Sequence, residues 1–491
     1  MTTGTVTSKD TSIPCYLHCK EIRASVDLPA LNRVFASRRS PSILGGNVSK
    51  ADADGVSYWA AEPREIFEFH AGQEDPFRRL HKALTKYKLQ DGHENVLPKG
   101  ILHGGWIGYF GYELGRYIET LPATTTDDLK MPLIRLCFYD RIIAYDHKSG
   151  TCWLIALDLP HDAEDPREKL AGLERLLAES RRVRVEAPAG TELDNIDLSA
   201  IQCNMSKDYY VQAVGKIKRY IYDGDIYQAN FSQRFECDYR GTGIELFHWQ
   251  NHYNPSPYAA YIDSADFQIV SASPEMFITI SDRLIRTKPI KGTRPRLNES
   301  GGASLGASHV NAKNFNELLT SEKEQAELNM IIDLERNDVA RVCVPGTRTV
   351  VQPRTIEGYP TVFHAVATVA GRLRREITFC DVLKAMFPGG SITGAPKIRS
   401  MEVIDETEPT ARGVYTGNIG FISVDGSVCL NIAIRTIIIT GQKAFAQTGG
   451  GIVADSDAQA EWDETITKAR ALIAGIRATQ GHSNEYGKFR L

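Results

Sequence analysis

The chain has 491 residues, of which 42% are hydrophobic and 24% are charged, and its formal net charge is −4. This length allows one large core or two to three domains. The charge excludes a general surface for nucleic acid or for an anionic membrane. An anionic ligand would therefore have to be held by local donors.

The N-terminal residues lack a basic segment followed by an apolar core, and no window approaches the ~18 apolar residues of a membrane span. We therefore expect neither a secretory signal nor a transmembrane helix. The 9 cysteines are scattered, and Cys15 and Cys19 lack a second pair that would complete a zinc site. These features predict reduced thiols and a cytoplasmic location.

Composition divides the chain into four segments. We expect residues 1–25 to be flexible and residues 481–491 to form a tail. The polar stretch at 186–199 contains a proline and a glycine, which indicates a boundary. It separates an N-terminal region over 26–200 from a second region over 201–480.

Hydrophobic periodicity predicts the secondary structure of both regions. Periodic leucines indicate a helix over 163–184, and Ser206 is a candidate N-cap for a helix that Gly224 can end in a left-handed turn. Strands are predicted at 137–145, 151–157, 225–235, 267–271, 276–280, 417–423 and 428–440, and further helices at 321–338, 379–386 and 457–479. This irregular alternation predicts a mixed α+β fold.

Two pairs of glutamates lie on predicted helices. Glu324 and Glu327 form one pair, Glu461 and Glu464 form the other, and Lys468 continues the second face one turn on. Three-residue spacing places both members of a pair on one helix face. Converging carboxylates repel each other unless a cation lies among them, and hard oxygen ligands suit Mg²⁺. The alternative is a solvated acidic helix face.

Two glycine-rich runs could bind an anion. Backbone N–H groups of such runs can bind a carboxylate or phosphate, and the alternative is a tight turn between strands. One run consists of Gly449, Gly450 and Gly451. The other, at 388–397, resembles a phosphate-binding loop, but an alanine and a proline separate its last glycine from Lys397. This spacing excludes the nucleotide-binding pattern.

Lys291 lies in a basic run with Lys288, Arg294 and Arg296. If these cations are also near Lys291 in space, they favour its neutral amine and make it a better nucleophile. A basic surface loop or a site for an anionic ligand is the alternative.

Four single residues are further candidates: Glu275, His364, Tyr415 and Arg435. Arg435 lies in an apolar strand-like run, where an arginine rarely lies buried without an anionic partner. That partner could be a substrate carboxylate or a structural aspartate. A lone histidine such as His364 is more often a core residue than a catalyst.

Taken together, the motifs resemble those of the chorismate-utilising enzymes in order and spacing. The matching segments are GDIYQANFS, SASPEMF, PIKGTRPR, FHAVATV, PGGSITGAPK, LNIAIRT and GGGIVADSD–EWDET, with the helix at 324–338. The match covers about 201–478 and extends more weakly to 40–160. The resemblance implies an α+β fold with two large packed β-sheets, surrounding helices and a cleft that holds Mg²⁺.

The resemblance also implies roles for the acidic residues. Glu327 and Glu464 match the Mg²⁺ ligands of the family, and Glu324 and Glu461 match carboxylates that support the site through water. Glu275 matches the acid that protonates the departing hydroxyl of chorismate.

Other matching positions are implied to bind chorismate. Arg435 and Tyr415 match groups that hold the enolpyruvyl carboxylate, and His364 matches a histidine that lines the ring pocket. Further matches are the Thr293 hydroxyl and the backbone of Gly449, Gly450 and Gly451 as carboxylate donors, and Lys468 as a nearby cation.

Two positions separate the branches of the family. Members that add water resemble one another in carrying a lysine where this chain has Gln228, and anthranilate synthases usually have alanine at the position of Lys291. The resemblance therefore implies the aminodeoxychorismate branch, with Lys291 as a nucleophile that forms a covalent adduct. Anthranilate synthase component I is the alternative. Since the sequence has no Gly-x-Cys-x-Gly segment, ammonia is expected from a glutamine amidotransferase partner or as free ammonia.

Overall fold

The computed structural model describes residues 12–23, 25–45, 55–90, 97–190, 201–297 and 304–480. The strands up to residue 190 are β1 (Ile13–Ile22), β2 (Ser42–Leu44), β3 (Val56–Ala60), β4 (Glu65–Phe69), β5 (Tyr87–Leu89), β6 (Gly105–Phe110), β7 (Ile134–Tyr139), β8 (Arg141–Asp146) and β9 (Thr151–Asp158). The helices of this part are α1 (Leu28–Ala36), α2 (Pro76–Leu84) and α3 (Pro166–Ser180).

The strands after residue 200 are β10 (Gln202–Cys203), β11 (Gln228–Asp238), β12 (Tyr258–Asp263), β13 (Phe267–Ser273), β14 (Met276–Ser281), β15 (Leu284–Lys288), β16 (Ile290–Pro295), β17 (Thr349–Gly358), β18 (Val362–Arg372), β19 (Gly394–Ala395), β20 (Asn418–Ser423), β21 (Val428–Asn431), β22 (Thr436–Thr440) and β23 (Lys443–Ile452). The helices are α4 (Lys207–Tyr222), α5 (Gly243–Tyr253), α6 (Ser304–Thr320), α7 (Glu322–Ala340), α8 (Phe379–Met386), α9 (Lys397–Thr407) and α10 (Ala458–Ala478).

These strands form two large sheets, which confirms the predicted α+β fold. A 13-stranded sheet has the order β10-β11-β23-β22-β13-β12-β2-β3-β8-β9-β1-β5, with β19 also on β11. A 10-stranded sheet has the order β16-β18-β15-β14-β21-β20-β6-β7-β4, with β17 also on β18. Strand β2 pairs with β12, and β6 pairs with β20. The regions proposed at 26–200 and 201–480 thus share both sheets.

The N-terminal segment differs from the flexible stretch expected at 1–25. Residues Ile13–Ile22 form β1, which lies between β9 and β5 in the larger sheet. Cys15 and Leu17 are buried, while the neighbouring Tyr16 and His18 are exposed. This alternation was the available strand signal. Residues 1–11, and the expected tail at 481–491, lie outside the described residues.

Two runs predicted as single strands each divide between the two sheets. The run at 137–145 is split between β7 in the smaller sheet and β8 in the larger one. The run at 428–440 is split between β21 and β22 in the same way. An apolar run shows that a segment is buried, but it does not show where the chain leaves one sheet for another.

Helix predictions that rest on local capping are confirmed. Ser206 accepts a hydrogen bond from the Tyr209 N–H at the start of α4, and Gly224 follows its end with φ +83°. The predicted helices at 321–338, 379–386 and 457–479 correspond to α7, α8 and α10. Over the described ranges, no helix is long and apolar enough to cross a membrane.

Aromatic residues of β6 and β7 pack into the largest core cluster. Trp106 contacts Phe138 edge to face, with ring centroids 5.3 Å apart. Gly108 lies on β6 opposite Leu136 of β7, and a Cβ added there would overlap the backbone oxygen of Arg135. The close approach of these strands therefore requires glycine at this position.

We predict that Gly108→Ala lowers the free energy of unfolding by at least about 2 kcal/mol, because the added methyl group forces two central strands apart. Urea denaturation followed by circular dichroism measures this change. The matched control is Gly215→Ala on α4, where a Cβ has nothing within 4 Å. The control should stabilise the chain by about 0.5–1 kcal/mol. Equal effects at the two positions would contradict the packing described for β6.

Candidate active site

Lys291 lies on β16 and is half-buried. Its Nζ donates a hydrogen bond to the backbone oxygen of Ser391, at 3.1 Å. Burial lowers the pKa of Lys291, and the cation of Lys468 acts in the same direction, whereas the carboxylates of Glu327 and Glu275 oppose the shift. The result is an amine that loses its proton more readily than an ordinary lysine.

The cations next to Lys291 in sequence are held by other partners. Lys288 pairs with Glu357 at 2.6 Å, and Arg294 pairs with Glu324 at 2.7 Å. Arg296 donates to the backbone oxygen of a tyrosine at 3.1 Å. The conditional prediction that this run lowers the pKa of Lys291 therefore finds no support. Lys468, which is distant in sequence, is the nearby cation.

Glu275 lies between β13 and β14 and is 3% exposed. Its Oε1 accepts a hydrogen bond from the Ile290 N–H at 3.2 Å. Burial raises the pKa of Glu275, against the influence of Ser391, the Ile290 N–H and Lys291. The side chain therefore keeps its proton to a higher pH than an exposed glutamate, as a general acid must.

Thr293 and His364 face each other across β16 and β18. The Thr293 hydroxyl and His364 Nδ1 are 2.9 Å apart, and His364 Nε2 is buried without a partner among the described residues. Burial, with a smaller contribution from Arg435, lowers the pKa of His364 to about 3. The imidazole is therefore neutral at physiological pH.

Arg435 lies in the connection between β21 and β22, with φ +49°. Arg435 therefore does not lie inside one long strand, as its apolar neighbours predicted. Its side chain is half-buried, and burial lowers its pKa. Within the described ranges, no carboxylate lies within ion-pair distance of Arg435, so the structural-aspartate alternative finds no support there. Tyr415 is 5% exposed, and burial raises the pKa of its phenol.

The three glycines predicted to bind an anion belong to a strand rather than a tight turn. They lie on β23 and pair with β11 on one side: Gly449, Gly450 and Gly451. Strand β22 pairs with β23 only as far as Ala446. The opposite backbone edge therefore has no strand partner among the described residues. A Cβ at Gly449 would lie 2.6 Å from the Phe231 oxygen, which explains the need for glycine.

The second glutamate pair lies on α10 beside this strand. Glu461 accepts from the Ser456 hydroxyl at 2.7 Å, and burial, together with the nearby Glu464, raises the pKa of Glu461. Glu464 pairs with Lys468 at 2.7 Å. Burial opposes ionisation of Glu464, but Lys468, Lys323 and Lys291 together outweigh it and lower the pKa of Glu464. Lys468 also donates to the Gly449 oxygen at 2.9 Å.

The predicted Mg²⁺ ligands have suitable chemistry but not a closed cluster. Oxygen Oε2 of Glu324 is buried without a partner, and Lys323 next to it acts on both Glu461 and Glu464. Helices α7 and α10 therefore present carboxylates to one region. However, the described residues contain no group of three His, Cys, Asp or Glu side chains placed to hold a metal ion. The roles of Glu327 and Glu464 as Mg²⁺ ligands, and of Glu324 and Glu461 as supporting carboxylates, remain predictions.

The sequence did not indicate three groups that contact Lys291 or the turn to which Lys291 is hydrogen-bonded. They are the backbone oxygen of Ser391, the carboxylate of Glu335 and the guanidinium of Arg412, all in buried residues. The segment at 388–397 was considered only as a possible phosphate loop. Its many small residues were the signal for close packing.

Comparison with known proteins identifies the family. The family model described as chorismate binding enzyme matches residues 47–474. The chain belongs to this family of chorismate-binding enzymes. The match includes every candidate residue given above.

Relatives with two different names are similar to this member of the family. Aminodeoxychorismate synthase component 1 of Bacillus subtilis (strain 168) is 39% identical over 410 residues, with 83% of each chain covered. Anthranilate synthase component 1 of Pseudomonas putida is 38% identical over 407 residues, with 82% of this chain and 80% of that protein covered. Such similar identities do not separate the two activities.

A solved structure has the same fold. The crystal structure of anthranilate synthase component I from Streptococcus pneumoniae TIGR4 matches with a TM-score of 0.72 and 31% identity. The match covers 85% of this chain and 92% of that one. This chorismate-binding enzyme is thus similar, along most of its length, to proteins that carry either of the two names.

We predict that acid destabilises the fold partly through His364. The pKa of His364 is about 3 in the folded chain and about 6.5 in the unfolded chain. As pH falls below about 6.5, the unfolded chain therefore binds a proton at His364 and the folded chain does not, which favours unfolding. His364→Gln should therefore lose less free energy of unfolding than the wild type between pH 6.5 and 4. Urea unfolding at several pH values measures both slopes, and parallel slopes would contradict the neutral, buried imidazole.

Proposed function

We propose that the chain is component I of an aminodeoxychorismate synthase. It would convert chorismate and ammonia to 4-amino-4-deoxychorismate for p-aminobenzoate and folate biosynthesis. The observation that carries the proposal is Lys291, a half-buried amine with a lowered pKa near the buried acid Glu275. A neutral amine and a protonated carboxyl are the two groups needed when a nucleophile adds as a hydroxyl leaves.

In the first step, Nζ of Lys291 adds to C2 of the chorismate ring while the bond between C4 and its hydroxyl breaks. Glu275 gives its proton to the departing hydroxyl, which leaves as water. Lys291 is then a protonated secondary amine, and Glu275 is a carboxylate. The raised pKa of Glu275 favours the form that starts this step.

In the second step, ammonia adds at C4 and the bond between C2 and Nζ breaks. The electron pair of that bond returns to Lys291, which leaves as a neutral amine. The product carries an ammonium group at C4, and a proton from it or from solvent restores Glu275. The amino group thus ends at the carbon that carried the hydroxyl.

Anion-binding groups around Lys291 would hold the two carboxylates of chorismate. Arg435 is half-buried without a described carboxylate partner, and Tyr415 would donate its phenolic proton beside it. The Thr293 hydroxyl and the free edge of β23 offer further donors. Such donors fix a substrate in a reactive geometry, which is a large part of catalysis.

The carboxylates of α7 and α10 would hold Mg²⁺. Glu327 and Glu464 are the proposed ligands, and Glu324 and Glu461 are the proposed supporting carboxylates. When bound, the cation would neutralise a substrate carboxylate and favour departure of the hydroxyl. Lys468, which pairs with Glu464, supplies positive charge on the same side.

Ammonia would come from a glutamine amidotransferase. The names of the relatives specify a component 1, which fits an enzyme built from two subunits. No Gly-x-Cys-x-Gly nucleophile segment occurs in this sequence. The partner would therefore hydrolyse glutamine, and this chain would use the ammonia.

Anthranilate synthase component I is the second candidate. The relative from Pseudomonas putida and the structure from Streptococcus pneumoniae both carry that name. In that activity the aminated ring would also lose pyruvate to become aromatic. Lys291 is the observation against it, because this second activity does not require a neutral lysine beside Glu275.

We predict that Lys291→Ala lowers the rate of aminodeoxychorismate formation at least about 100-fold, because a nucleophile is removed. Purified chain, chorismate, Mg²⁺ and ammonium are incubated with and without an aminodeoxychorismate lyase, and the products are separated. Chorismate binding should persist. The matched control is Lys288→Ala, since Lys288 forms a partly exposed ion pair with Glu357 and its loss should change the rate less than about twofold.

Two results would count against the proposal. A wild-type rate in Lys291→Ala rejects the lysine adduct. Anthranilate formed by the wild-type chain without added lyase favours the second candidate.

A further inference from the structure

A short helical turn at Gly390–Ile392 contacts the side chain of Lys291. Its middle residue, Ser391, is 3% exposed, and the Ser391 backbone oxygen accepts the hydrogen bond from Lys291 Nζ. Lysine has a flexible four-carbon stem. The position of this carbonyl therefore decides where the amine points.

A buried carboxylate contacts the start of this turn. Glu335 lies on α7 and is 2% exposed. Its Oε1 accepts from the Gly390 N–H at 3.2 Å, and its Oε2 has no partner among the described residues. A Cβ at Gly390 would lie 3.2 Å from this same Oε1, so the contact leaves little free space. Burying a carboxylate with so few partners costs free energy, because its lost hydration is only partly replaced.

Arg412 holds the other end of the turn. Its Nη1 donates to the Ile392 oxygen at 3.0 Å. The next residue, Thr393, donates its hydroxyl to the Gly389 oxygen at 3.0 Å. The carbonyl that receives Lys291 thus lies between two buried anchors, of which Glu335 is the acidic one.

The groups around Glu335 leave its hydrogen bond with the Gly390 N–H in place. Lys397 pairs with Asp338 at 2.5 Å and also donates to the Met386 oxygen at 3.0 Å, so its ammonium has other acceptors than Glu335. Burial and the charge of Asp338 raise the pKa of Glu335 to about 7. In either protonation state, Glu335 keeps an oxygen that can accept from the Gly390 N–H.

We propose that Glu335 is a positioning residue that orients Lys291 through the Gly390–Ser391 backbone. The inference rests on the proposed role of Lys291 as the nucleophile. Glu335 does not contact the substrate in this account. Glu335 holds the Gly390 N–H in place through its hydrogen bond. The position of Gly390 sets the position of the Ser391 carbonyl, and this carbonyl orients the amine of Lys291 toward the substrate.

Two variants of similar size separate this role from simple packing. Glu335→Gln keeps an acceptor oxygen for the Gly390 N–H, whereas Glu335→Leu removes it. Amination of chorismate with ammonium gives kcat and KM. We expect kcat of Glu335→Gln to stay within about twofold, and kcat of Glu335→Leu to fall about tenfold or more with KM within about twofold, because orientation of the nucleophile is lost.

A second readout needs neither chorismate nor amination. Limiting acetic anhydride labels lysines of the free chain, and mass spectrometry gives the rate at each site. Lys291 should be labelled about threefold faster or more in Glu335→Leu, because the released amine is more accessible. Exposed Lys82 reports reagent strength, and Lys169, which is 1% exposed, reports global opening. Both should match the wild type.

Several results would overturn the positioning role. These are an unchanged kcat and Lys291 labelling in Glu335→Leu, and an equal loss in Glu335→Gln and Glu335→Leu. If Glu335→Leu does not fold, Glu335→Met replaces it, and failure of both to fold assigns Glu335 a structural role instead. Full amination by Lys291→Ala would reject the proposed function, while the labelling data would still report the orientation of Lys291.

Discussion

The buried ion pair between Arg412 and Glu408 joins the parts of the candidate site. Both side chains are 1% exposed and lie 2.7 Å apart. Arg412 also donates to the Asn230 oxygen on β11 and to the Ile392 oxygen, and its guanidinium lies 5.9 Å from the Tyr415 ring. Removing one partner of a buried pair costs about 3–5 kcal/mol, because the other charge is left unpaired. The positions of β11, the turn behind Lys291 and Tyr415 therefore depend on this pair.

The chain passes from one sheet to the other between β13 and β14 and again between β21 and β22. Arg435 lies in one such crossing, and the free edge of β23 lies on the larger sheet. Strand β16 brings Lys291 and Thr293 from the smaller sheet. The candidate site thus lies at an unpaired strand edge of the larger sheet and at the edge strand β16 of the smaller one. Backbone donors without a strand partner and a half-buried amine can exist there, although the rest of the chain is tightly packed.

The sequence predicted features that depend on local patterns. The caps of α4, the bounds of α8 and the α+β class follow from periodicity and capping, which act over a few residues. It did not predict the strand crossing at Arg435, because a continuous apolar run carries no information on sheet membership. It also misplaced the cause of the lowered pKa of Lys291, since burial and Lys468 act through space. The contact of Glu335 with Gly390 could not be predicted either, because the two residues are 55 positions apart in the chain.

The proposed function depends on a covalent bond between Lys291 and the ring of chorismate. Its most direct test is mass spectrometry of the chain after incubation with chorismate and Mg²⁺, with ammonia excluded and the reaction quenched in acid. We expect a mass increase equal to chorismate minus water on the peptide that contains Lys291, and the loss of this increase when ammonium is added before the quench. An unmodified Lys291 peptide from an enzyme that aminates chorismate at its full rate would contradict it.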